Sequence, residues 1–130
     1  MKEEVVKAIQ ELRINFPESE ITVKEDPEGG ALVVMENVII DLSTSKYNQD
    51  RTWIGFRINF QYPYADVYPI FVREDLSRKD GSPLGPSMSK CNWENRPAIQ
   101  VSRRSNKRVA DFDTASLKIQ KVLQWLITTT

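Results

Sequence analysis

Residues 60–72 read FQYPYADVYPIFV, and the two prolines in this stretch, Pro63 and Pro69, decide how the chain is folded. Trp53 to Phe60, just before it, is a hydrophobic strand, and Pro69 to Arg73 is a short one. Proline has no N–H to give to a sheet and holds φ near about −65°. The two Tyr-Pro steps, Tyr62-Pro63 and Tyr68-Pro69, therefore force an extended crossing outside the ladder. Each preceding tyrosine is pushed to β or polyproline II geometry as well.

Working outward, the N-terminal side reads as a helix and a meander. Over Glu3 to Asn15, Val5, Ile9, Leu12 and Phe16 make one apolar stripe at helical spacing. Glu3 and Glu4 suit the positive end of its dipole, and Pro17 stops it. Ile21 to Lys24 is a short strand, Asp26 to Gly30 a turn, and Ala31 to Leu42 a longer β-branched strand. Ser43 to Arg51 is a polar connection. Thr52 to Phe60 alternates, with Gly55 expected to mark a bulge.

Beyond the crossing, Glu74 to Pro97 shows little periodicity and holds Gly81, Pro83, Gly85 and Pro86 besides Cys91 and Trp93. A loop this long in a compact domain points to function or mobility. The short extended piece Ala98 to Val101 follows, then a basic segment with Arg103, Arg104, Lys107 and Arg108. Asp113 to Ile127 is the second helix, with Asp113 as N-cap and Ile119, Val122, Leu123 and Leu126 as its stripe.

Bulk properties narrow the chemistry. The 130 residues fit one domain with a real core, and no run of 18 apolar residues exists to span a membrane. The charged N-terminus is unlike a signal peptide, and a single cysteine predicts a reducing, cytoplasmic setting. With no histidine, Ser-His and Cys-His catalysis is excluded, and with one cysteine so is a thiolate zinc site. No metal and no cofactor is expected. The net charge of zero hides an imbalance: residues 1–60 carry 11 acids and 7 bases, residues 61–130 carry 7 acids and 11 bases. That excess is too small for a dedicated nucleic-acid binder but enough for a local acidic partner.

Helix, meander, Tyr-Pro crossing, long irregular loop and helix resembles the ubiquitin-conjugating (UBC) fold and its non-catalytic variant and RWD relatives, over about Val5 to Leu126. The segments YPYADVYPIFVREDL, AIQVSRRSN and DTASLKIQKVLQWL are similar to prokaryotic conjugating-enzyme-like families found beside ubiquitin-like proteins. The resemblance implies an α+β UBC-like domain in a bacterial ubiquitin-like conjugation system, plausibly in antiphage defence. Its implied partners are a ubiquitin-like protein and its activating enzyme, with no nucleic acid and no membrane.

A conjugating enzyme needs an accessible thiolate and an amide donor for the developing oxyanion. Cys91 is the one thiol, Asn92 the adjacent amide, and Lys90 and Arg96 stand near enough in sequence to lower a thiol pKa. Cys91 lies 22 residues before Asp113, whereas Gln100 lies 13 before it, in the apolar frame of Ile99 and Val101 that resembles the family's cysteine environment. Two alternatives stand: Cys91 is the nucleophile and the following loop is elongated, or Gln100 occupies the nucleophile position and no thioester forms. Free cysteine is also simply a common buried residue. Trp93 is expected to cover the site or anchor an interface, and Gln100, Ser102, Arg103 and Arg104 to hold a partner. Single-stranded nucleic-acid binding through Trp93 and the basic segment is the weaker third reading.

Overall fold

The computed structural model describes residues 1–40, 46–105, 109–110 and 114–128. Along the chain run α1 (Glu3–Asn15), β1 (Glu20–Glu25), β2 (Ala31–Ile39), β3 (Arg51–Ile58), β4 (Ile70–Arg73), β5 (Met88–Trp93), β6 (Arg96–Val101) and α2 (Ala115–Thr128). The strands form one antiparallel sheet in the order β1-β2-β3-β4-β6-β5. The class is α+β. The first four strands are the expected meander, and β6 folds back onto β4.

Side chains alternate across a strand, so the sheet has two faces with different fates. Ile54, Phe56 and Ile58 of β3, Ile70 and Val72 of β4, and Ile99 and Val101 of β6 share the main core with both helices. From α1 come Val5, Ala8, Ile9 and Leu12, and from α2 Ile119, Val122 and Leu126. Leu12, Ile119 and Leu126 are wholly buried. Burying one such side chain is worth about 1.5–3 kcal/mol, which is why these stripes, more than intrinsic helix propensity, hold the helices down. The opposite face carries a smaller cluster of its own, centred on Trp53, Phe71 and Ala98.

The Tyr-Pro crossing lies outside the ladder as expected, but it is not extended throughout: residues 60–64 form turns, in which the Tyr62 and Tyr64 amides donate to the Asn59 and Gln61 carbonyls at 2.9 Å. Residues 59–69 leave the ladder, and both Tyr62-Pro63 and Tyr68-Pro69 peptides are cis. Tyr62 is buried, and its hydroxyl accepts a hydrogen bond from the Ala115 amide at 3.1 Å. The crossing thus satisfies one of the unpaired donors at the start of α2. At the other end of that helix, the buried Tyr47 hydroxyl donates to the Leu126 carbonyl at 2.8 Å. Asp113, expected as the N-cap, lies outside the described residues, as do Lys107, Arg108 and Leu42.

Two expectations need correction. Residues 74–97 are not one irregular loop: residues 88–93 form β5, an edge strand joined to β6 by a two-residue turn. Glu94 and Asn95 hold φ of 49° and 61°, the left-handed pair that matches a tight hairpin to strand twist. Gly55 is not at a bulge either. It pairs regularly with Val34 and Phe71, and the register slips on β2 between Met35 and Val38, where Asn37 takes φ 61°.

Candidate functional site

The residues singled out from sequence fall into two groups on opposite sides of the sheet. Cys91 and Trp93 alternate onto the face away from the helices, beside Trp53, Phe71 and Ala98. Trp93 stacks on Phe71 with ring centres 5.0 Å apart, and on Trp53 at 6.2 Å. The Arg96 guanidinium covers the outer side of this array, 3.9 Å from the Trp53 ring centre, and pairs with Glu36 at 3.2 Å. Gly55 lies beneath, and a Cβ there would collide with Trp93. Trp93 is therefore part of a packed aromatic layer on β3 and β4 and not a free anchor in a polar loop.

Cys91 is half-buried within that layer, paired in register with Ala98. Because it sits in the middle of a regular strand, its neighbours point the other way. Asn92 pairs with Pro97 and Lys90 with Ile99, both on the helix-facing side. The strand thus separates the thiol from the amide and the ammonium that catalysis would have it share. Arg96 is on the thiol's face, but its guanidinium is committed to Trp53 and Glu36. Gln100 is also on this face, one pair further along, between Phe71 and Ser89. Its side-chain amide donates to the Ser102 hydroxyl at 3.1 Å, and the Ser102 amide donates to the Ser87 carbonyl at 2.8 Å.

The second group gathers where β6 runs out against α2. Arg103 lies 4.9 Å from the Trp125 ring centre and Arg104 4.0 Å from that of Tyr68. Beneath them Lys118, buried on the apolar side of α2, donates to Asp66 at 3.1 Å, to the Arg103 carbonyl at 2.6 Å and to the Ser105 hydroxyl at 3.1 Å. Asp66 in turn accepts from the Ser105 amide at 3.0 Å. A buried ammonium with three acceptors, one of them a carboxylate, is satisfied and its charge balanced, so it staples the segment after β6 to the helix. The result is an open cleft of about 200 Å³ lined by Arg103, Arg104, Ser105, Lys118, Lys121, Val122 and Trp125.

Sequence reasoning found Arg103 and Arg104 but missed their supports, Lys118, Asp66 and Tyr68. Lys118 adjoins the α2 stripe at Ile119, a lysine on an otherwise apolar side, and that placement was the available signal. Among the described residues no group of three or more histidine, cysteine or acidic side chains could hold a metal ion, and no helix is long and apolar enough to cross a membrane. Comparison with protein-family models, curated proteins and solved structures gives no match.

Proposed function

We propose that this chain is a non-catalytic, UBC/RWD-like docking domain of a bacterial ubiquitin-like conjugation system, holding a ubiquitin-like protein or its activating enzyme without forming a thioester to it. The observation that carries this reading is the setting of Cys91. It is fixed in a paired strand, half-buried against the Trp53–Phe71–Ala98 cluster, with Asn92 on the opposite face. Thioester exchange needs a thiolate that an acyl carbonyl can approach, and donors aimed at the oxyanion that develops. The family resemblance on which the partner class rests is supported by the order of helix, three strands, Tyr-Pro crossing, fourth strand and C-terminal helix, with the β5–β6 hairpin standing where the long loop was expected.

The test is a charging reaction with ATP, a bacterial ubiquitin-like protein and its activating enzyme, run on the natural chain and on Cys91→Ser. The proposal expects co-elution of the domain with one of these proteins, equal in both forms, and no thiol-reducible adduct. An adduct formed by the natural chain and lost in Cys91→Ser overturns it in favour of a carrier enzyme.

A further inference from the structure

We infer that the cleft between the end of β6 and α2 is a carboxylate-binding site for a peptide, with Arg103 and Arg104 as its ligands and Trp125 and Val122 as its apolar wall. This deepens the docking proposal by naming the group on the partner that is held, and rests on that proposal for the partner's identity.

The two arginines keep hydrogen-bond donors available to an anion. A guanidinium stacked on a ring uses its face and leaves its N–H donors pointing outward in the plane. Arg103 and Arg104 each place the guanidinium carbon over a ring, of Trp125 and Tyr68 respectively. Neither has a carboxylate partner among the described residues. Among the described residues Arg57 pairs with Asp26 and Glu28, Arg73 with Asp75 and Arg96 with Glu36, while Arg13 and Arg51 donate to the Ile21 carbonyl and the Asn37 side chain. Arg103 and Arg104 are neighbours on one short segment that side chains from other parts of the fold hold in place. Lys118 holds the Arg103 carbonyl and Ser105, and Asp66 holds the Ser105 amide. Lys118 itself, with its acceptors in place, shapes the site instead of contacting the ligand.

The walls choose among anions. Trp125 and Val122 give the cleft an apolar side beside the guanidinium edges. A bare phosphate would leave that side wet, whereas a residue bearing a carboxylate and an aliphatic side chain fills both halves. The bidentate match of guanidinium to carboxylate supplies the polar half.

The probes are acetyl-Ala-Leu with a free carboxylate, its C-terminal amide, and inorganic phosphate, each titrated at low salt into the isotopically labelled protein. The readouts are the Trp125 indole N–H and the backbone amides of 102–105. The free acid should shift these signals saturably and bind at least about tenfold more tightly than the amide, the loss expected for one charge-assisted contact. Arg103→Gln with Arg104→Gln should remove the response while the thermal midpoint stays near that of the natural chain. If that double variant unfolds, Arg103→Lys with Arg104→Lys keeps the charge but loses the planar fork, and should still weaken the acid relative to the natural protein. Equal binding of acid and amide, phosphate binding as tight as the acid, or no saturable shift each overturns the inference. A failure here leaves the charging result unchanged, and a Cys91 adduct leaves this titration unchanged, so the two proposals fail separately.

Discussion

Trp93 lies across Gly55, reaching from the edge strand β5 over β6 and β4 to the middle of the sheet, where its ring meets both Phe71 and Trp53. The glycine is required by what sits above it and not by its backbone, because a methyl group there would occupy the space of the indole. Gly55→Ala should therefore cost about 1–3 kcal/mol, the usual penalty for overpacking. Urea unfolding would show a lower midpoint, and the Cys91 thiol, two residues from Trp93, should react faster in the native protein. An unchanged midpoint would mean that Trp93 moves aside freely and that the aromatic layer is loose.

A hydrogen bond from the Ala115 amide to the Tyr62 hydroxyl joins the crossing to α2. Tyr62→Phe keeps the ring and removes the acceptor. An amide left buried without a partner costs about 1–3 kcal/mol, so thermal unfolding of this variant should show a loss in that range. A neutral result would indicate that another acceptor caps the helix there.

The sheet's first half was legible because its residues obey simple rules. The α1 stripe, the turn on Asp26 and the alternation of β3 each correspond to a local cause, and Asp26 does accept from the Glu28 and Gly30 amides as such a turn requires. The hairpin of β5 and β6 was not legible. Its outer strand is an edge with Ser89, Lys90 and Asn92 exposed, so burial leaves almost no apolar period, and the turn uses Glu94 where glycine or asparagine would have advertised it. The bulge was misplaced for a related reason. Gly55 looks like a weak point in a strand, but the slip falls at Asn37, a residue that tolerates positive φ. For the site, Arg103 and Arg104 were visible as charge, while the long-range pairing of Asp66 with Lys118, 52 residues apart, has no local signature.

Lys118 offers a test of how the cleft is built. Lys118→Met preserves the length and apolar stem but leaves Asp66 without its ammonium and frees the Arg103 carbonyl. The expected loss is about 2–4 kcal/mol, toward the lower end because Asp66 keeps its bonds to Ser105. Amide exchange across residues 102–105 should accelerate beyond the rest of the sheet. Uniform acceleration everywhere would mean that Lys118 supports the fold in general and not this segment.

Acid should destabilise the fold through a small set of carboxylates. Asp75 is held below its ordinary value of 3.8 chiefly by the side-chain hydrogen bond from Arg73, with its charge in support. For Asp26 burial pushes upward, but the amides of Gly30 and Glu28, with Arg57, outweigh it and leave its value lowered. A lowered folded value means stability that is present above the unfolded value and lost as the pH falls through the folded one. The urea midpoint should hold steady from neutrality down to about pH 5 and decline below about pH 4. Asp75→Asn should flatten part of that decline. A midpoint that rises on acidification would reverse the sign and contradict these pairings.

The proposed docking without covalent transfer depends on Cys91 being a packed strand residue. Its most direct test is the rate of Cys91 alkylation by iodoacetamide in the native protein against the urea-unfolded chain, followed from neutral to mildly alkaline pH. Strand pairing with Ala98 and packing against the Trp53–Phe71–Ala98 cluster predict a native rate well below the unfolded one at every pH. A native rate equal to or above that of the unfolded chain would reveal an open, activated thiol and contradict the account.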